Sequence, residues 1–367
     1  LHVWWARRPL TASRAAVLGS LLPADFPRDV FEKLLGFERG AEHIVKTRQL
    51  MDLGLRVPGG FNTARAFKAP LRLDHVALAY SYAKRIWGEE PKVLDPMAGG
   101  GSIPLESARL GFATLANEYN PVASSLLEAT VDYPFRFGKR LGELARKWGA
   151  VWESRVAVRL AKFYPERRFA KIHAYIFART VPCPDTGYHT PLVPDWHLLK
   201  PKSGSRVVAW PVVDKKRGTW KVEIRTLARN ADPPHPTYDN GKGISLFTNS
   251  QIPADYIKAK AQQGQMRSQL YAVALKRGTK LWFEPPSDDD LKALDEAQRE
   301  LERLRPKWEL DNVIPTELYP EVTSDPRPRM YGMFRWADLF SPRQLLCMGV
   351  LVEELRKLRP EIIRAEG

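Results

Sequence analysis

One stretch of the chain switches between strand-like and helix-like spacing of its apolar positions. A short β-rich run, 92–95, ends in Asp-Pro and is followed at once by three glycines, Gly99–Gly101. A helical pattern then opens at Ser102 and stops at Gly111, and a second strand pattern covers 112–117. This order predicts a strand–glycine loop–helix–strand unit of a parallel sheet.

Helical periodicity recurs on both sides of this unit, and a β-rich region separates two groups of helices. The predicted helices cover residues 11–22, 74–87, 122–129, 138–164, 286–305 and 341–358. Ser341 and Pro342 have the residue types of a cap and a first helical position, and Thr11 or Ser13 could cap the first helix. Residues 170–285 are rich in β-formers and proline and predict an inserted module, while 306–335 predict extended chain.

The glycine loop has the chemistry of a binding site for an adenosine-bearing cofactor. Glycines without a Cβ let the backbone approach a ligand closely, and the free N–H groups of the helix at Ser102 favour electron-rich groups. Glu118, at the tip of the second strand, can accept hydrogen bonds from both ribose hydroxyls. A tight turn without a ligand, or the nucleotide site of an oxidoreductase, would use similar glycines, so both remain alternatives.

Composition adds expectations about partner and compartment. The 367 residues carry 57 Lys and Arg against 42 Asp and Glu, a formal charge of +15, which favours a polyanionic partner and first of all nucleic acid, without distinguishing DNA from RNA. A generally basic proteome is the alternative explanation. The two cysteines, Cys183 and Cys347, indicate a reducing, cytoplasmic setting rather than a disulfide framework. No apolar run approaches the roughly 20 residues that a membrane span needs, so no membrane partner is expected.

The N-terminal segment combines aromatic and cationic residues. Trp4 and Trp5 precede Arg7 and Arg8, and no acidic residue occurs before Asp25. Tryptophan beside arginine suits stacking on a base and pairing with phosphate, so these four residues are candidates for contact with substrate or DNA. Packing of both tryptophans in the core is the alternative.

Five segments of the chain together resemble the prokaryotic adenine-specific DNA methylases that contain a zinc-ribbon insertion. They are HVWWARRPLTASRAA, DPMAGGGSIPLESARLG with NEYNPVA, AYIFARTVPCPDTG, IPADYIKAKAQQGQMRSQLYAVAL and YGMFRWADLFSPRQLL. The resemblance implies a doubly wound, Rossmann-like α/β methyltransferase sheet with an inserted ribbon-like β module. It also implies S-adenosylmethionine as cofactor and N6 of an extruded adenine as the methylated atom.

The resemblance also assigns residues of the cofactor site. Asp95 and the glycines are expected around the methionine part, Glu118 on the ribose, and Asn120-Pro121 near the adenine rim. Met97 stands where the family has Phe, and equivalent packing is expected of it. The complete set is Asp95, Pro96, Met97, Gly99, Gly100, Gly101, Glu118, Asn120 and Pro121.

The sequence departs from the family at the zinc ribbon. A structural zinc site uses four Cys or His ligands in close pairs. Cys183 stands alone, Thr186 occupies the position of its expected partner, and the second knuckle reads Ser245-Leu246-Phe247-Thr248. His189 and His197 are scattered. We therefore expect no zinc and a β module held by apolar packing.

A second departure concerns catalysis. Amino-methylating enzymes of this class use Asp/Asn-Pro-Pro-Tyr/Phe to hold the exocyclic amine and stack on the base. Asp232, Pro233 and Pro234 are followed by His235 rather than an aromatic residue of that kind, so they are a weak candidate and read as a proline-rich loop. We expect the motif in a C-terminal part of the same protein beyond residue 367, which would make this chain an inactive fragment on its own.

These expectations divide the chain into three segments. Residues 1–165 would hold the N-terminal signature and the cofactor-binding half, 166–285 the inserted module, and 286–367 a segment that returns to the missing catalytic half.

Overall fold

The structure, a computed structural model, describes residues 8–58, 70–201, 204–228 and 230–367. The protein is a mixed α/β molecule with two compact units, Leu1–Lys147 and Trp148–Gly367. None of the helices formed by these described residues has the length and apolarity needed to cross a membrane.

The first unit is largely helical around one pair of strands. Its elements, in chain order, are α1 (Leu10–Leu21), α2 (Arg28–Leu34), α3 (Ala41–Asp52), α4 (Leu73–Trp87), β1 (Lys92–Asp95), α5 (Ser102–Arg109), β2 (Ala113–Ala116), α6 (Pro121–Leu127), a π-helical turn (Glu128–Asp132) and the start of α7 (Tyr133–Leu160). The predicted strand–loop–helix–strand unit is confirmed, because α5 connects β1 to β2 and the two strands pair in parallel.

The two strands are covered on one face and open on the other. Val93 of β1 packs against a core in which α1, α4 and α5 meet, with Leu18, Ala83 and Leu110 at its centre. On the opposite face Leu94 and Leu115 lie directly across from each other and are 63% and 61% exposed. Parallel strands are normally buried on both faces, so this sheet is only half covered by the described residues.

The second unit holds the β-rich region and the last long helices. Its elements are the remainder of α7, β3 (Lys171–Pro182), β4 (His189–Leu192), β5 (His197–Leu199), β6 (Arg206–Asp214), β7 (Thr219–Leu227), β8 (Tyr238–Asp239), β9 (Lys242–Ile244), β10 (Gln251–Ile252), α8 (Ala254–Gln262), β11 (Arg267–Arg277), β12 (Lys280–Glu284), α9 (Asp288–Leu310), α10 (Arg327–Met330) and α11 (Pro342–Glu366). Short 3₁₀ helices occur at Ala161–Phe163 and Trp336–Leu339.

The strands form three antiparallel sheets. Their orders are β12-β11-β3-β4, β5-β6-β7 and β10-β9-β8. An aromatic cluster fills one core of the β-rich region, where the ring of Trp196 meets those of Trp220 and Tyr271 at centroid distances of 6.2 and 5.8 Å. The predicted strand texture of 170–285 is confirmed. The boundary between the two compact units, near residue 148, differs from the boundaries of the three predicted segments. The functions assigned to those segments remain predictions.

A separate core joins the long helices, and it explains where the helix prediction fell short. Trp308 of α9 is fully buried and packs over Gly349 of α11, where an added Cβ would lie 2.2 Å from the indole. The helix therefore continues through Pro306 to Leu310 instead of ending at 305. The prediction of extended chain over 306–335 was wrong for that turn, where packing of Trp308 outweighs the local effect of proline. It was also wrong for α10, which follows Pro326 and has a proline in its first turn.

Helix capping follows the sequence where the capping group is a side chain. Ser341 caps α11 through Gln344 with Pro342 at its first position, as predicted. The predicted cap of α1 was wrong: Pro9 precedes that helix without a side-chain cap, and Ser13 lies inside it, facing the core.

Candidate functional site

The carboxylate of Glu118 ties the ends of the two parallel strands together. Its Oε2 accepts a hydrogen bond from the backbone N–H of Gly99 at 2.6 Å, and its Oε1 accepts one from the N–H of Asn120 at 2.9 Å. These N–H groups, first Asn120 and then Gly99, outweigh partial burial and hold the pKa of Glu118 below its usual value. Glu118 is therefore an anchored, ionised group at neutral pH that keeps lone pairs for another donor.

Two of the three glycines are required by the backbone. Gly99 has φ 53° and Gly101 has φ 78°, in the left-handed region that residues with a Cβ avoid. A Cβ on Gly101 would also lie 2.6 Å from Cδ2 of Leu127. The loop thus comes close to α6, and α5 begins at Ser102 without a side chain capping its first N–H groups.

The remaining residues of the predicted loop set its shape. The N–H of Met97 donates to Oδ1 of Asp95 at 3.2 Å, and Nδ2 of Asn117 donates to the carbonyl of Pro96 at 3.1 Å. The side chain of Met97 is 85% exposed. The expectation that it packs as a phenylalanine would is wrong here, because the tight turn after Asp95 points residue 97 outward.

Asn120 and Pro121 start the next helix. Oδ1 of Asn120 accepts hydrogen bonds from the N–H groups of Val122 and Ala123 at 2.9 and 3.3 Å, and Pro121 holds the first helical position. The amide of Asn120 therefore serves as a helix cap and leaves the ring of Pro121 as the group available beside the loop.

A cavity of about 600 Å³ is lined by residues of α5, β2 and α6, and Glu118 contributes to its wall. Thr114, Leu127 and Phe135 contribute a hydroxyl and apolar walls, and Glu128 and Asp132 add carboxylates. Its size falls in the range of small-molecule sites, which is roughly 300–1,000 Å³.

Helix α1 supports the glycine loop through a buried polar contact that the sequence did not predict. The hydroxyl of Ser13 donates to that of Ser102 at 3.0 Å, and Nε of Arg14 donates to Oε2 of Glu106 at 2.5 Å. Arg14 and Glu106 are both fully buried. The available signal was helical spacing: Arg14 falls on the same face as Val17 and Leu18.

Of the N-terminal aromatic and cationic candidates, only Arg8 is among the described residues. Trp4, Trp5 and Arg7 lie outside the described residues. Arg8 is exposed just before α1.

The weak catalytic candidate belongs to the other unit. Asp232, Pro233 and Pro234 lie in irregular chain between β7 and β8, and Asp232 is exposed. The carbonyl of the next residue, His235, accepts a hydrogen bond from Nε1 of Trp196 at 3.0 Å. The segment is a proline-rich loop, as predicted, and the Trp196 hydrogen bond ties it to the aromatic cluster.

The four positions of the degenerate zinc ribbon do converge. Two turns of the same form carry them: the N–H of Gly187 donates to the carbonyl of Cys183 at 2.8 Å, and that of Asn249 donates to the carbonyl of Ser245 at 2.9 Å. Gly187 and Asn249 have φ 72° and 61°. Thr248, on the second turn, places its Oγ1 3.9 Å from Sγ of Cys183.

Hydrogen bonds fill the space between these turns. Burial raises the pKa of the Cys183 thiol, but the hydroxyls of Ser245 and Thr186 and nearby backbone N–H groups lower the pKa by more. Thr248 donates to Oδ2 of Asp185 at 2.9 Å, and Ser250 donates to the same oxygen. The β module is thus held here by a polar cluster as well as by the expected apolar packing.

These side chains do not fit a zinc site, which requires thiolate, imidazole or carboxylate ligands in tetrahedral arrangement. Nδ1 of His189 forms a hydrogen bond with Oγ1 of Thr180 at 3.0 Å, and Nδ1 of His197 forms one with Oδ1 of Asp195 at 2.6 Å. Within the described ranges, no three His, Cys, Asp or Glu side chains are placed to hold a metal ion.

Comparison with known proteins adds one match. A family described as a protein of unknown function, DUF1156, matches residues 1–40. No curated protein and no solved structure matches the chain. The matched segment contains α1 and α2 and thus includes Arg14, which contacts α5.

Proposed function

We propose that the first unit binds S-adenosylmethionine at the glycine loop and that the chain is part of a DNA methyltransferase acting on N6 of an extruded adenine. The carrying observation is the carboxylate of Glu118, which is ionised, half-buried and anchored to the N–H of Gly99 at the tip of β2. A cofactor with a ribose beside a cationic sulfonium suits an acidic group at this place.

The residues of the loop fit such a cofactor. Gly99 has a positive φ that a residue with a Cβ avoids, and the first N–H groups of α5 have no side-chain cap. The neighbouring cavity has mixed apolar and polar walls and extends from Glu118. Asp95 and the glycines would face the methionine part, Glu118 the ribose, and Pro121 the adenine rim.

The half-covered sheet supports a larger, doubly wound arrangement. Leu94 and Leu115 are exposed side by side on one face, and within the described residues β1 and β2 have no further strand beside them. Strands and helices from a C-terminal part of the same protein would cover this face, and that part would also supply the base-binding motif.

In this proposal the cofactor supplies an electrophilic methyl group on its sulfonium. The chain's own residues hold and orient: Glu118 accepts the ribose hydroxyls, and the glycines let the backbone approach without steric conflict. No residue of this chain is assigned to hold the adenine amine, since Asp232-Pro233-Pro234 is followed by His235 in a packed loop.

Calorimetric titration tests the cofactor assignment. We expect saturable binding of S-adenosylmethionine, no comparable binding of NAD, and a loss of about 1–3 kcal/mol of binding free energy in Glu118→Ala, the usual range for an unpaired polar partner. Glu89→Ala, an exposed carboxylate paired with Lys84, is the control and should bind as the unaltered chain does. Equal affinity in Glu118→Ala, or preference for NAD, would refute the assignment.

A second candidate function is binding without methyl transfer. It is favoured by the position of the one Asp-Pro-Pro sequence, which lies in the second unit while the glycine loop lies in the first. A tritiated-methyl transfer assay on unmethylated DNA separates the two candidates. Cofactor binding without methyl transfer supports the second candidate. Methyl transfer by residues 1–367 alone excludes it.

A further inference from the structure

Cationic side chains accumulate at one end of the sheet β12-β11-β3-β4. Lys171, at the start of β3, lies directly across from Lys276 of β11, and Arg277 lies across from Lys280 at the β11–β12 turn. All four are exposed. We call this set, together with Arg168 and Phe169 in the turn before β3, the basic end.

The pairing of like charges is unfavourable in the isolated protein. Like charges directly opposite each other on neighbouring strands destabilise a sheet, by roughly the 0.2–1 kcal/mol that a favourable pair contributes. Among the described residues, none of the four cations Lys171, Lys276, Arg277 and Lys280 has an ion-pair partner. An external polyanion would remove this repulsion.

Nearby acids leave the basic end largely uncompensated. Arg167, the next cation along the chain, is neutralised by the buried Asp290. Glu166, Asp288 and Asp289 are exposed in the adjoining segments, and Glu166 lines a cavity together with Lys171. Lys171 and Lys276 project from one face of the sheet end and Arg277 and Lys280 from the other.

Edge-strand lysines that prevent aggregation do not account for this arrangement. Such lysines protect a strand with an unpaired edge. Lys280 lies on the edge strand β12, and Lys171 lies on a part of β3 that pairs with β11 alone, since β4 pairs only with residues 179–182. Lys276, however, pairs with β12 on one side and β3 on the other, so edge protection does not explain its charge.

Shape and aromatic exposure indicate which polyanion fits. A concave cavity of about 600 Å³ adjoins the basic end, and its lining includes Tyr164, Tyr175 and His173 with one acid, Glu166, beside Arg167 and Lys171. In the turn before β3, Phe169 is 68% exposed, with the guanidinium of Arg168 5.3 Å from its ring centroid. Cations that follow a backbone, with an exposed ring for a base, are the features of single-stranded nucleic-acid sites.

We propose that the basic end is a nucleic-acid-binding surface that holds the phosphate backbone of an unpaired strand and stacks a base on Phe169. The proposal deepens the proposed function by adding a second contact with the nucleic acid, but it does not depend on the cofactor site. Binding can therefore be measured without cofactor, and failure of one proposal leaves the other standing.

Fluorescence anisotropy with a labelled single strand of about 20 nucleotides tests the proposal in the full chain. The triple variant Lys276→Gln, Arg277→Gln, Lys280→Gln should weaken binding at least about tenfold near 0.1 M salt. The slope of log K against log salt should fall by about 2, since each lost phosphate contact removes about 0.7. Phe169→Ala should weaken binding severalfold while leaving that slope unchanged.

The chain offers a matched control. Lys215, Lys216 and Arg217 form the exposed tip of the β6–β7 hairpin, with the same Lys-Arg-Gly-Thr sequence as the β11–β12 turn. The carbonyl of Trp220, next to that tip, accepts a hydrogen bond from Gln269 near the start of β11, roughly 25 Å along the strand from Lys276. Replacing these three cations by Gln should change affinity less than about twofold.

The outcomes separate the explanations. Loss of affinity for the single strand in the Lys276 triple variant alone, with unchanged thermal unfolding, supports the proposed binding surface. Equal loss in both triple variants would show a diffuse charge effect and overturn the proposal, as would no loss in either. Binding to anionic phosphatidylserine vesicles with no binding to the single strand would assign the surface to a membrane and overturn it too.

Discussion

Arg14 and Glu106 form a fully buried ion pair between α1 and α5, with 2.5 Å between Nε and Oε2. A second nitrogen of Arg14 donates to the carbonyl of Leu34 at 2.7 Å, and Arg109 donates to the other oxygen of Glu106 at 2.8 Å. The pair fixes the helix that begins at the glycine loop. The segment matched by the family of unknown function is thereby connected to the candidate cofactor site.

Breaking this pair should be costly. Arg14→Met leaves Glu106 as a buried charge that has lost its main partner, and we expect a loss of about 3–5 kcal/mol of unfolding free energy in urea. The exposed pair Arg48–Asp52 is the control, since Arg48→Met should cost about 1 kcal/mol or less. The double variant Arg14→Met, Glu106→Met should recover part of the loss. Similar costs for Arg14→Met and Arg48→Met would contradict this account.

Glu118 should make stability depend on pH. Its pKa is lowered from 4.5, so its hydrogen bonds to the N–H groups of Asn120 and Gly99 stabilise the folded state fully above that value. The contribution is lost as pH falls through the lower, folded-state pKa. The stability of Glu118→Gln should therefore vary less than that of the unaltered chain between about pH 5 and pH 3. Carboxyl ¹³C NMR titration that placed the Glu118 pKa at or above 4.5 would sink this prediction.

The convergent turns of the β module predict an engineered metal site. Cys183, Thr186, Ser245 and Thr248 occupy paired positions around one point, so Thr186→Cys, Ser245→Cys, Thr248→Cys should create four thiolates that bind about one zinc ion. Zinc should then raise the melting temperature, and a chelator should reverse the rise.

Two controls belong to this experiment. The unaltered chain should show no such response to zinc, and adding Cys183→Ser to the triple variant should weaken binding strongly by removing one ligand. A folded triple variant that bound no zinc would show that the four positions do not surround a common centre.

The open face of the parallel sheet should bind apolar dyes. Replacing Leu94 and Leu115 by Thr keeps a β-forming residue on each strand and removes exposed apolar surface. We expect lower fluorescence of bound anilinonaphthalene sulfonate and less self-association by sedimentation, with little change in stability. Leu18→Ala, in the buried core of the same unit, should instead cost about 2–5 kcal/mol. Unchanged dye binding in the double variant would mean that this face is not the exposed apolar surface.

The sequence by itself determined the local elements of the candidate site. β1, the glycine turn, α5 and β2 follow from short-range causes: apolar spacing, residues without a Cβ, and a helix that must begin and end. The cap of α11 by Ser341 with Pro342 is of the same kind. Each depends on neighbours within about one helical turn, and such information is contained in a short stretch of sequence.

Tertiary structure alone decided the contacts between distant segments. Helical spacing places Arg14 on the apolar face of α1, but only the docking of α1 on α5 supplies its buried partner, Glu106. Trp308 carries α9 past Pro306 because a fully buried indole packed over Gly349 stabilises the last turn more than the proline disfavours it. The sequence of either turn alone likewise does not predict that the Cys183 turn and the Ser245 turn meet. Burial and pairing energies depend on what lies across the fold, and a local pattern does not specify that partner.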